Sequence, residues 1–211
     1  MRNVGIGAAA MAATAVGASL IAQPASALEM APDEPWLAKL TGKHRQFFDG
    51  VSANDGWALV FAANFVNMNM KAYGLTRSEV TAVVGLRHMA TPLALNDAMW
   101  AKYKLGEFLK VTDKHTNAPA TRNVFAQVPA GEGPLSGNGV DQFLAGGGIV
   151  TACDMALTAL SGMSAAAAGL PPAAAKAEWI ANLFPGVAVV PAGVLAVNRA
   201  QEYHCSYCYA G

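Results

Sequence analysis

Three cysteines hold most of the chemical potential of this 211-residue chain. Cys153 closes the β-branched run Ile149-Val150-Thr151-Ala152 and precedes a helical pattern that begins near Asp154. Sulfur at a strand-to-helix junction meets the partial positive charge of the helix start, which stabilises thiolate over thiol. That suits a nucleophile or a sulfur carrier. The alternative is a packed thiol, since free cysteine is among the most buried residue types. Asp154 would oppose thiolate formation if its carboxylate turned inward.

Cys205-Ser206-Tyr207-Cys208 is a C-x-x-C with His204 before it. Such a spacing serves a disulfide, half of a metal site or a redox pair. Haem attachment is excluded, because Tyr209 stands where that motif needs histidine. On an extended strand, side chains three apart point to opposite faces, so a bridge requires a turn. Structural zinc would draw on Cys205, Cys208, His204 and a remote fourth ligand, while the second half of the usual motif is missing. Met68, Met70 and His88-Met89 are soft donor types that suit copper, although methionine on an apolar helix face ordinarily fills core.

His88 follows a predicted strand, where it can act as acid, base or ligand, or simply bond a carbonyl. Arg122 and Asn123, in a long connection, are candidate ligand contacts, Arg122 for an anion. Trp100 would line a pocket near His88. No G-x-G-x-x-G, phosphate loop or G-x-S-x-G is present, so nucleotide binding and serine hydrolysis have no motif behind them. No cofactor is expected.

These residues need positioning elements, and hydrophobic periodicity supplies them. Lys43 to Asp49 reads as a first strand ending in an Asp-Gly turn. Asn54 or Asp55 would cap a helix to Tyr73, with Trp57, Phe61, Phe65 and Met68 as its apolar stripe and Gly74 as its stop. Glu79 to Leu86 and Ile149 to Cys153 read as buried strands, as does Val187 to Val190. Helices are predicted over Leu93 to Leu109 with Asp97 as the alternative start, over Val140 to Ala145, from Asp154, over Ala173 to Leu183 and over Val194 to Glu202. A last short strand covers Cys205 to Tyr209. The connection from Val111 to Gly139 is long enough to imply function or disorder. Alternating strands and helices predict an α/β fold: a flavodoxin-like three-layer sandwich with a mostly parallel sheet. Ligands in such sheets sit beyond the carboxyl ends of the strands, here marked by His88, Cys153 and Pro191.

Arg2, the apolar stretch from Val4 to Ala22 and the small residues Pro24-Ala25-Ser26-Ala27 read as a cleavable secretory signal over residues 1–27. One domain over residues 28–211 would then function in the periplasm or outside the cell. Mean hydropathy is +0.30, but no second apolar run reaches the roughly 18 residues that would span a bilayer. An integral membrane protein is therefore not expected after cleavage. Lys+Arg and Asp+Glu number 14 each. That balance, without a basic stripe, argues against nucleic acid as a partner.

The segment Ile149 to Leu157, followed by Leu183-Phe184-Pro185-Gly186-Val187-Ala188-Val189-Val190-Pro191-Ala192-Gly193-Val194, resembles the DsrE/DsrF-like sulfur-relay family. Lys43-His44 with Phe48-Asp49, Leu86-Arg87-His88, Leu93 to Tyr103 and Ala120-Thr121-Arg122-Asn123 resemble an exported branch of it. The resemblance spans about the whole domain. It implies a DsrE-like α/β fold, homo-oligomeric assembly, and persulfide sulfur carried on a cysteine after a sheet strand, which Cys153 matches in position. A small sulfur species or a protein thiol would be the partner. The export signal, the connection over 111–139 and the terminal C-x-x-C depart from the cytoplasmic members.

Overall fold

The computed structural model describes residues 34–211; the expected signal segment lies outside them. Five strands run parallel: β1 (His44–Gly50), β2 (Val80–Leu86), β5 (Ile149–Cys153), β6 (Ala188–Val190) and β7 (Ser206–Tyr209), in the spatial order β6-β5-β2-β1-β7. Every residue of β2 is buried, which explains its largely apolar character at the centre of the sheet. β6 lies at an edge, and Val189 is exposed there, so this strand is not covered as its composition suggested.

Helices cover both faces, giving the three-layer α/β sandwich. One face carries α1 (Trp57–Tyr73), α5 (Asp154–Ser164) and α6 (Pro172–Ala181), joined by residues of α2 (Asp97–Lys102), α3 (Leu105–Leu109) and α4 (Val140–Ala145). The other carries α7 (Gly193–Glu202) and a short turn of helix at Leu37–Lys39, which bury Trp36, Leu37, Ala196 and Ala200 against Phe47 and Val83. The chain moves steadily from β1 to β6, and then α7 returns it to the far side of β1. The order reverses between β1 and β7, whereas the flavodoxin order 2-1-3-4-5 reverses between its first and third strands. Among the described residues no helix is long and apolar enough to cross a membrane.

α1 occupies the expected span and stops at Gly74, whose φ of 66° suits glycine. Its buried face differs from the expected stripe. Ala58, Leu59, Ala62, Ala63 and Val66 face inward, while Phe61 and Met68 are 38% and 45% exposed. Small residues let the helix lie close to the sheet, and Phe65 reaches Phe48 edge-on from the flank of that contact. Asn54 and Asp55 do not cap it. They form a turn with positive φ, and Gly56 is the cap residue.

The helix expected over Leu93 to Leu109 is three pieces: a 3-10 stretch His88–Ala94, then α2 and α3. Asn96 caps α2 by accepting from the Met99 N–H at 3.2 Å. Lys104, with φ of 51°, breaks the run. Around that break Tyr103 and Lys102 both reach Glu178 of α6, at 2.7 Å each. The segment 111–139 contains a two-residue hairpin, β3 (Thr112–Asp113) with β4 (Ala118–Pro119). Gln142 fastens it by accepting from the N–H groups of Val128 and Gly139 and donating to the Val128 carbonyl.

Candidate functional site

Cys153 is both the last residue of β5 and the cap residue of α5. The strand leaves its backbone extended, so its Sγ turns to the first helical turn and accepts from the Ala156 N–H at 3.4 Å. The residue is 7% exposed. Asp154 turns away: its carboxylate oxygens take the Lys176 ammonium at 2.8 and 2.9 Å, so its charge is compensated on the outer side of the helix start. Met155, the next residue, is exposed.

Register connects this end of β5 with the end of β2. Leu86 pairs with Ala152, which sets Arg87 in the row of Cys153 and His88 one residue beyond. His88 is exposed, has φ of 49° and opens the 3-10 stretch. Among the described residues no hydrogen bond or ion pair joins its side chain to Cys153 or to any other group. The two expected catalytic residues thus share one rim of the sheet without touching through a hydrogen bond.

Beside them lies a polar cluster that the sequence did not reveal. Asp49, at the end of β1 and 2% exposed, accepts from Arg87 Nε at 2.7 Å, Arg87 Nη2 at 2.9 Å and the Tyr207 hydroxyl at 2.8 Å. Two parallel hydrogen bonds from a guanidinium fork are the strongest pairing a carboxylate finds. They raise the Arg87 pKa above its ordinary value, and burial together with Asp49 raises that of Tyr207. Gly193 is needed here, because a Cβ on it would lie 2.4 Å from the Arg87 Cβ. A shallow hollow of about 340 Å³ opens among Asp49, Arg87, Tyr207 and the α7 residues Val194, Val197 and Gln201. The available signal was an acid at the end of one strand and a base just after the next. Reading it as a pair requires the sheet order.

Arg122 does not join Cys153. Its Nε and Nη2 donate to Asp113 at 2.9 and 3.4 Å, and it lines a separate cleft of about 450 Å³ formed by the 111–139 segment and the start of α1. Neither Cys153, His88 nor Trp100 lines that cleft.

Asn123 and Trp100 are corrected from ligand contacts to framework residues. Asn123 donates both Nδ2 hydrogens, to the carbonyls of Leu93 and Leu95 at 2.9 and 2.7 Å, and accepts from the Phe125 N–H, leaving no free donor. Trp100 is 0% exposed and gives its indole N–H to the Pro92 carbonyl at 3.0 Å.

Cys205 and Cys208 are unbridged, as is Cys153. Strand alternation sends Cys205 into the core under α7 and Cys208 toward the core under α1, so neither a disulfide nor a shared metal site forms between them. His204 is exposed at the turn before β7. Burial raises the pKa of both terminal thiols above the ordinary range. Among the described residues no group of three or more histidine, cysteine and acidic side chains is arranged to hold a metal.

No family model matches the chain, and no curated protein matches it. Among solved structures it is similar to MTH1491, a protein of unknown function from Methanobacterium thermoautotrophicum. The TM-score is 0.41 and the sequence identity 17%, over 79% of this chain and 98% of that one.

Proposed function

We propose that this protein carries sulfane sulfur as a persulfide on Cys153. The observation that carries the reading is the Ala156 N–H directed at Cys153 Sγ at the start of α5. A helix start and an aligned N–H favour negative charge on sulfur, whether the attacking thiolate or the terminal sulfur of a persulfide. Lys176 removes the nearest opposition by holding Asp154. The Cys205 and Cys208 thiols, with raised pKa values, are poorer competitors for the same chemistry.

Loading follows thiol–disulfide exchange. The Cys153 thiolate attacks the terminal sulfur of a persulfide or polysulfide donor. A new S–S bond forms at Cys153, the donor S–S bond breaks, and the rest of the donor leaves as a thiolate or, from a polysulfide, as an anion one sulfur shorter; no outside oxidant is needed. Delivery is the reverse step toward an acceptor thiol. His88 stands one residue beyond the Cys153 row and would hold an incoming anionic sulfur species once its exposed ring turns toward it. The resemblance to sulfur-relay proteins supports the same reading, and export to the periplasm or beyond and homo-oligomeric assembly belong to the same proposal.

Cyanide releases sulfane sulfur as thiocyanate, and this provides the test. After incubation with polysulfide and desalting, the wild-type chain should release about one thiocyanate per chain, and Cys153→Ala close to none. Equal release from the two proteins would overturn the proposal.

A further inference from the structure

The cleft under the 111–139 segment is independent of Cys153. Its volume of about 450 Å³ falls in the range of small-molecule sites, roughly 300–1,000 Å³. Trp57, Val111, Val124, Phe125, Val128 and Leu135 give it an apolar, partly aromatic floor. The floor is fixed before any ligand arrives. Phe125 is buried, its N–H bound by Asn123 and its carbonyl by the Val140 N–H, and Phe125 and Leu135 close over Gly56, where a Cβ would lie 2.9 Å from Leu135. Such preorganisation reduces the ordering cost of binding.

The charges on the rim are unevenly satisfied. Asp113 is buried and takes Arg122 together with the His115 N–H. Glu132 meets the His115 ring at 3.2 Å across the mouth. By contrast, Arg122 Nη1 and the exposed Lys114 ammonium have no acceptor among the described residues. Asp55, the remaining acid of the lining, is exposed just before α1 and likewise has no partner among the described residues. We infer that this cleft binds a small aromatic anion, with its rings against Trp57 and Phe125 and its anionic group between Arg122 and Lys114.

Anilinonaphthalene sulfonate is a suitable probe, since it is aromatic, anionic and fluorescent when shielded from water. Titrated into the full chain, it should bind saturably at one site. Val124→Trp, which fills the cleft from a half-buried position, should abolish that binding. Lys114→Glu, an exposed change that leaves the fold alone, should weaken it about tenfold, or about 1.4 kcal/mol. Cys153→Ala should bind as wild type, so this inference and the persulfide reading can fail separately. Binding that does not saturate, or that Lys114→Glu leaves unchanged, overturns the inference; so does unchanged binding in a folded Val124→Trp.

Discussion

Replacing Asp49 by Asn removes one buried negative charge while nearly keeping its volume. Arg87 then loses the carboxylate that takes two of its N–H bonds, and the Tyr207 hydroxyl faces an amide. Removing one partner of a fully buried ion pair costs about 3–5 kcal/mol. The Arg87 side chain is 27% exposed, so water compensates part of the loss and about 2–3 kcal/mol is expected. For a domain of this size that is a fall in Tm of roughly 4–12 °C. Arg87→Met should cost more, about 3–5 kcal/mol, because it strands a carboxylate that is only 2% exposed. Urea unfolding of the two single variants and the double variant measures the coupling, expected at about 1.5 kcal/mol or more. A loss below about 0.5 kcal/mol in Asp49→Asn, or a coupling near zero, would refute the view that this pair anchors the rim of the sheet.

Asn123→Ala should cost about 2–4 kcal/mol in urea unfolding, since the carbonyls of Leu93 and Leu95 lose their donor inside the core; a loss under about 1 kcal/mol would contradict its framework role. Lys176→Gln should slow alkylation of Cys153 roughly twofold to threefold at low salt by freeing the Asp154 charge beside the helix start, and an unchanged rate would count against that electrostatic account. The pKa values of Tyr103 and Tyr207 are raised in the folded chain, chiefly by burial, with Glu178 and Asp49 adding to it. Raised values mean that their stabilisation is complete below the ordinary tyrosine pKa of about 10 and is lost as pH climbs through the folded values. Melting curves should therefore fall above about pH 10, and less steeply in Tyr103→Phe; identical alkaline limbs would contradict this.

The strands were legible because β2 and β5 are buried on both faces and are made mostly of apolar residues, with one threonine in each. The junction at Cys153 was legible for the same reason, a β-branched run giving way to a helical pattern. The inward face of α1 was not, because residue size misled: Phe61 and Met68 point outward, while alanines beside Leu59 and Val66 make the close approach to the sheet. The Asp49–Arg87 pair depends on β1 and β2 being neighbours in register, which no local pattern states. Asn123 and Trp100 have side chains that suit a ligand equally well, and only the long-range turn of the chain over Leu93 and Pro92 consumes their donors. For Cys205 and Cys208 the spacing left a disulfide, a metal site and a redox pair open, and the two core clusters they join decide their separation.

The most direct test of the central claim is peptide mass spectrometry of the wild-type chain, purified without reductant, treated with polysulfide and trapped with an alkylating agent. The mass of one or more added sulfur atoms should appear on the Cys153 peptide and be absent from the peptide that holds Cys205 and Cys208. An unmodified Cys153, or sulfur confined to the terminal peptide, would contradict the account.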